Sequence, residues 1–347
     1  MKLIIRNTIL FFLLFLGIFI AGTQGDKVYA MIADFLEQDS GVLTVVSVDA
    51  QRGYPIKNSK FQIIDAEKNE VIEVIETSID GVATTSLLPL SRNYYVQQTN
   101  VLEPYQLNTD QHELMLSSEN NRITIENNVP GFIKDYKRTE EKDIEVTSVQ
   151  LPVESILQTP ELPNGCEVTA LAAVLDYYGY ETNKLELADK YMPKIAFTRS
   201  NNKLVGADPH QAYAGNPRSE QQGFFSYAEP IVHTAERYFA VNNDESHTVK
   251  NINGSSEQDI YQLLSEGIPV IMWTTVDMKE PRVNYSWYIK GTTEKINVPT
   301  NSHTVVLTGF KDDNVFAMDP LKGHVTYQAE HLFNIFEQAG GHAMIVY

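Results

Sequence analysis

PNGCEVTALAAVLDYYG, residues 163–179, puts the one cysteine of a 347-residue chain where a turn opens onto an apolar-periodic helix. Backbone N–H groups at a helix start lack intrahelical partners and the macrodipole is positive there. Both favour the thiolate of Cys166 over the thiol. Cys166 is therefore a candidate nucleophile, set against the plainer reading of a small buried hydrophobe. With a single cysteine, a disulfide within the chain is excluded.

The length suggests two domains, and 43% hydrophobic residues with modest Gly and Pro point to globular structure rather than disorder. A net charge of −18, with an acidic excess in both halves, argues against nucleic acid as a partner. In residues 1–30, Lys2 and Arg6 precede an uncharged apolar stretch from Ile9 to Ala21, and Val28, Tyr29 and Ala30 offer a cleavage site. That pattern reads as an export signal, or as an N-terminal membrane anchor if it stays uncleaved. Either way the bulk of the chain is expected outside the cytoplasm, secreted or held at the outer face of the membrane or cell wall. There a lone thiol that stabilises nothing by pairing needs another purpose.

From residue 38 to 128 the pattern is strand-like. VLTVVSV, KFQIID, VIEVIET and RITIE alternate apolar and polar residues between turn signals. This segment resembles the prealbumin-like β-sandwich modules of Gram-positive surface proteins. Members of that group join a Lys on the first strand to an Asn on the last by an isopeptide bond, promoted by a Glu on a middle strand. Here the first strand carries no Lys, Gln98 stands where the Glu belongs, and Asn127 and Asn128 are the acceptor candidates. The role the resemblance implies is a stalk, with attachment or ligand binding as alternatives.

Residues 129–150 lack clear periodicity and carry a mixed charge cluster from Lys134 to Glu145, so they read as a linker. Residues 151–347 change character. Helix candidates follow Cys166 and run through 228–239 and 258–266, after which strand-like runs IPVIMW, HTVVLTGF, NVFAMD and HAMIVY crowd the C-terminal part. The expectation is an α+β domain with the nucleophile helix packed on an antiparallel sheet.

A thiol nucleophile needs a base, and the base needs an orienting group. His303 opens one strand, Asp319 closes the next, and Lys311 to Asn314 make a polar turn between them. Such a hairpin sets His303 and Asp319 opposite each other or one place off. The oxyanion formed on attack needs donors in place. The Cys166 amide is one and the Gln158 carboxamide, folded back by Pro160, Pro163 and Gly165, is the candidate for the other. LPVESILQTPELPNGCEVTALAAVLDYYGY, GIPVIMW and NSHTVVLTGFKDDNVFAMDPL resemble the papain-fold cysteine peptidases of the bacteriocin-leader-processing type, in particular their stand-alone, exported relatives. The resemblance implies Cys166 as nucleophile, His303 as base, Asp319 as orienting carboxylate and Gln158 as oxyanion donor.

Other features weigh less. His210 reads as a solvated loop histidine, and Glu167 as an acid favouring the helix dipole. Trp273 and Trp287 read as core or cleft-wall aromatics, and Asp312 and Asp313 fall short of a calcium loop. His233, His247, His331 and His342 lack zinc-ligand spacing, so neither metal nor cofactor is expected. The function expected is an exported thiol hydrolase acting on peptide or protein substrates, cell-wall peptides among them. The membrane enters only through an uncleaved N-terminal segment. The alternatives are a catalytically inactive surface adhesin and a transpeptidase that passes the acyl group to an amine.

Overall fold

A computed structural model describes residues 39–119 and 121–347; the export or anchor segment lies outside them. The chain divides into two compact units, ending and beginning at Val129 and Pro130.

The first unit is all β. Strands β1 (Thr44–Asp49), β2 (Lys60–Asp65), β3 (Glu70–Glu76), β4 (Val82–Thr84), β5 (Asn93–Asn100), β6 (Gln111–Met115) and β7 (Arg122–Asn127) form two sheets. Their orders are β4-β1-β7 and β3-β2-β5-β6. β1 and β7 run parallel, so the first and last long strands of the unit lie side by side. Alternate side chains from both sheets, including Val45, Phe61, Ile63, Tyr94, Val96 and Ile125, meet in one apolar core.

Within that core, a polar knot occupies the position where the resemblance calls for a crosslink. The Asn127 amide donates to Gln98 Oε1 at 2.7 Å and to the Gln106 carbonyl at 3.0 Å, while its Oδ1 accepts from Gln98 Nε2 and Ser47 Oγ, both at 3.2 Å. Of the two acceptor candidates, Asn127 is buried and Asn128 is exposed. Where a lysine would supply the amine, β1 presents the Ser47 hydroxyl, and Gln98 cannot act as the carboxylic acid. The contacts here are hydrogen bonds between satisfied buried groups, not an isopeptide.

The second unit is built on one branched antiparallel sheet. Its strands are β8 (Ile133–Arg138), β9 (Ile144–Gln150), β10 (Val249–Asn251), β11 (Val270–Thr275), β12 (Ser302–Lys311), β13 (Asn314–Asp319), β14 (Gly323–Gln328) and β15 (Ala343–Val346). The order is β8-β9-β12-β11-β15-β10, with β13 and β14 branching from β12. Residues 129–150, expected as a linker, thus form a hairpin that opens this unit. Val149 and Gln150 pair with Phe310 and Gly309 of β12, and Ile133, Tyr136 and Val149 are buried. Gly309 permits the close approach, because a Cβ there would lie 2.0 Å from the Val149 carbonyl oxygen. Most of the charge cluster that suggested a linker occupies exposed positions or the turn of the hairpin.

Helix α1 (Cys166–Tyr177) is buried from Cys166 through Leu175 and packs on β12 and β11. It ends in a Schellman turn, with Gly179 N donating to Asp176 O at 2.8 Å and Tyr180 N to Leu175 O at 3.0 Å. Helices α2 (Ala228–Asn242), α3 (Glu257–Ser265) and α4 (Ala329–Gln338) complete the layer arrangement. β14 and α4 lie between the runs NVFAMD and HAMIVY and were not anticipated from the sequence. Residues 196–227 and 277–300 contribute a small separate sheet of Thr198–Ser200, Lys203–Gly206, Val283–Ile289 and Lys295–Pro299. That sheet closes on Trp287, which is buried and donates its indole N–H to the Ala207 carbonyl at 2.7 Å.

Candidate active site

The nucleophile turn is closed by hydrogen bonds within it. Leu162 N donates to the Gln158 carbonyl at 2.9 Å, and the Gln158 amide nitrogen donates to the Pro163 carbonyl at 2.7 Å. Gly165 N donates to the Leu162 carbonyl at 3.0 Å, and a Cβ on Gly165 would come within 2.7 Å of Leu162 Cβ. Only glycine fits immediately before Cys166 without a shift of that turn. The Tyr213 hydroxyl donates to the Asn164 carbonyl at 2.5 Å, holding the turn from the other side.

His303 Nε2 and Asp319 Oδ1 are 2.8 Å apart and both residues are buried. A carboxylate only accepts, so the bond fixes the imidazole proton on Nε2 and leaves Nδ1 with its lone pair, the form a general base needs. The register differs from the expected one. β12 and β13 pair as Lys311 with Asn314 and as Val306 with Met318, with a bulge between Leu307 and Gly309. Continued, this places Asp319 level with Val305, two residues from His303 on the same face. The contact is therefore diagonal rather than directly across.

Asp319 is held from several directions. Its Oδ1 also accepts from Leu321 N at 2.8 Å, and its Oδ2 accepts from the Tyr327 hydroxyl at 3.1 Å and faces Lys322 Nζ at 3.4 Å. Burial pushes the Asp319 carboxyl up, but His303, the Leu321 amide and Lys322 outweigh it, and the carboxyl stays well below its usual range. Gln158 joins the same corner, since its backbone N donates to the carbonyl of Pro320, the residue after Asp319, at 2.8 Å.

Cys166 lies against β12 beside Thr304, the residue after His303. The thiol is not lowered as the helix position alone suggests. Burial, then the negative charge of Glu167 and a hydrogen bond to it, push it well above its usual value, against the opposing pull of the Thr304 backbone and hydroxyl. Cys166 Sγ donates to Glu167 Oε2 at 3.3 Å. Glu167 is 1% exposed, so it does more than favour the helix dipole. Its Oε1 accepts from Ser226 N at 2.9 Å, and the Ser226 carbonyl accepts from Trp273 Nε1 at 2.7 Å.

The structure thus brings Gln158, His303 and Asp319 to one corner, while Cys166, at the start of α1, lies beside Thr304, the residue after His303. It adds Glu167, Tyr213, Ser226 and Thr304, which the sequence reading did not single out for the site. For Glu167 a signal existed: it is the one charged residue between Cys166 and Leu175 in a helix with no polar face, so it had to be buried. Gln158 Oε1 and Ser226 Oγ are buried without a hydrogen-bond partner, and the buried Thr304 hydroxyl has none besides the thiol it faces. Unsatisfied polar atoms gathered beside a nucleophile are what a site for a polar substrate group requires.

The remaining candidates lie elsewhere. His210 is half exposed, stacks on Tyr227 and faces Glu229 at 3.3 Å. Asp312 and Asp313 form the β12–β13 turn. Among the described residues no group of three or more His, Cys, Asp or Glu is placed to hold a metal ion.

Residues 150–344 match the family described as Peptidase_C39 like, and residues 41–129 match the prealbumin-like fold domain. A Bacillus subtilis (strain 168) protein named only as the uncharacterized protein YvpB is 31% identical over 164 residues, 47% of this chain. The alignment spans 61% of that relative's length. The crystal structure of a C39-like peptidase from Bacillus anthracis superposes with a TM-score of 0.51 at 27% identity, covering 58% of this chain and 97% of that one. The major pilin subunit of Bacillus cereus shares 22% identity over 26% of this chain and 30% of its own, with a TM-score of 0.23. With the family match extending over more than half of its length, the chain belongs to the Peptidase_C39 like family and carries a prealbumin-like domain ahead of the peptidase-like one.

Proposed function

We propose that the protein is an exported thiol hydrolase that opens peptide or amide bonds through an acyl-enzyme on Cys166. The observation that carries this reading is the buried 2.8 Å bond from His303 Nε2 to Asp319, on the strand against which the nucleophile helix packs. In this mechanism His303 Nδ1 takes the thiol proton as sulfur attacks the carbonyl carbon, and the C=O electron pair moves onto oxygen. The Cys166 amide and the Gln158 carboxamide, which has one N–H left after its bond to Pro163, stabilise that oxyanion. The imidazolium then passes its proton to the leaving amine, and water, deprotonated by His303, releases the acid and restores the thiol. Asp319 keeps the imidazole in the useful tautomer throughout.

The prealbumin-like domain supports a place outside the cytoplasm, where peptides or cell-wall peptides are the available substrates. Among the described residues no helix is long and apolar enough to cross a membrane. The test is to incubate the purified protein with a peptide library and with cell-wall fragments, with and without prior treatment by a thiol reagent, and to sequence the products. New amine and carboxyl termini that vanish on treatment are expected. New amide links between fragments would assign amine rather than water as acceptor, and products unaffected by the reagent would refute the thiol mechanism.

A further inference from the structure

The carboxyl group of Glu167 touches the nucleophile, yet the mechanism above gives it no task. It sits 1% exposed, anchored through Oε1 to Ser226 N at 2.9 Å, with Oε2 accepting the S–H of Cys166 at 3.3 Å. No cation is among the groups that set its protonation. The ionisable groups facing it are Cys166 on its own helix and Tyr213, whose phenol is buried and pushed well above its usual value, hence neutral at ordinary pH. The segment before α2 contributes only the Ser226 backbone, which Trp273 of β11 holds through its indole N–H at 2.7 Å. A carboxylate so placed stabilises the thiol by accepting its S–H hydrogen bond and repels the thiolate as a like charge.

We propose that Glu167 is a positioning residue that keeps the resting Cys166 in its thiol form, so that the nucleophile is released only when the carboxyl group is neutral or its hold on the S–H is broken. The proposal rests on the reading of Cys166 as nucleophile. Protons balance simply. With Glu167 ionised, the S–H proton stays on sulfur and points at Oε2. With Glu167 protonated, its O–H can donate to sulfur instead, and the thiol proton is free to pass to His303 Nδ1. Burial raises the Glu167 carboxyl to about 7, against the opposing hydrogen bonds from Ser226 and Cys166. The restraint therefore strengthens as pH rises through neutrality.

Because the chain has one cysteine, the ultraviolet absorbance of the thiolate, taken as the difference from Cys166→Ala, titrates Cys166 alone. Wild-type thiol is expected to ionise above the free value of about 8.5. Glu167→Gln keeps the shape and an acceptor for Ser226 N while removing the charge, and is expected to ionise at least about one pH unit lower, a tenfold gain in thiolate below the transition. A folded Glu167→Gln protein whose thiol titrates with or above wild type would overturn the proposal. So would a wild-type thiol ionising below the free value, which needs no variant to fold. The titration uses no substrate, so its failure is separable from that of the hydrolase reading. A protein that cleaves peptides but shows no Glu167→Gln shift loses only the restraint, and one that shows the shift but cleaves nothing loses only the hydrolase.

Discussion

Cys166→Ala is expected to lower kcat/KM for amide cleavage by roughly three to six orders of magnitude, with little change in thermal stability. The size of the effect follows from covalent chemistry. Alanine cannot form the acyl-enzyme, and neither His303 nor Gln158 can substitute, so only binding and oxyanion stabilisation remain. The small change in stability follows from size, since a single sulfur atom is removed from a helix start whose backbone is held by Gly165, Leu162 and Tyr213. The check pairs a rate measurement on a cleaved peptide with a thermal melt. A variant that retains a tenth of the wild-type rate would remove Cys166 from the mechanism.

Asp319→Ala is expected to cost both activity and stability. It deprives His303 Nε2, Leu321 N and the Tyr327 hydroxyl of their acceptor in a place where water does not reach Asp319, which is 0% exposed. Leaving such donors unpaired, beside a freed Lys322, costs on the order of 3–5 kcal/mol. The imidazole also loses what fixes its tautomer and rotation, so kcat should fall by about 10²- to 10⁴-fold. Asp319→Asn separates the two effects. Its carbonyl oxygen can still accept from His303 and Leu321, so it should recover most of the lost stability and part of the rate. Equal activity for Asp319→Ala and wild type would mean that the histidine needs no orienting partner.

The pH dependence of stability has two opposed parts. The Asp319 carboxyl is depressed in the folded protein, so its contribution is present at neutral pH and disappears as pH falls through the folded-state value. Glu167 acts in the reverse sense. Raised to about 7, it binds its proton more tightly folded than unfolded, so stability declines as pH climbs from the ordinary carboxylate range through neutrality.

Much of this arrangement is legible in the residues themselves. Runs such as HTVVLTGF and NVFAMD become neighbouring strands, because strands buried on both faces retain a strong apolar signature. The lone cysteine at a turn-to-helix junction and the histidine and aspartate on those strands suffice to propose the site. Less legible is what depends on distant partners. The charged hairpin at 133–150 reveals itself as sheet only through the gap that Gly309 leaves for Val149. The diagonal between His303 and Asp319 is set by a bulge that periodicity does not encode. Glu167 lies at a position where an acid usually serves the helix dipole, and only the packing of Ser226 and Trp273 turns it toward the thiol. In the first unit, Gln98 of β5 and Asn127 of β7 meet because the two sheets face each other across the core, which the pattern of neither strand encodes.

The central claim is that an acyl group passes through the sulfur of Cys166. Acid quenching during turnover of a peptide or ester substrate, followed by intact-protein and fragment mass spectrometry, tests it directly. A transient mass increase equal to the acyl portion, localised to the peptide containing Cys166 and decaying as product forms, is the predicted result. Product appearing at full rate while Cys166 remains unmodified at every quench time would contradict it.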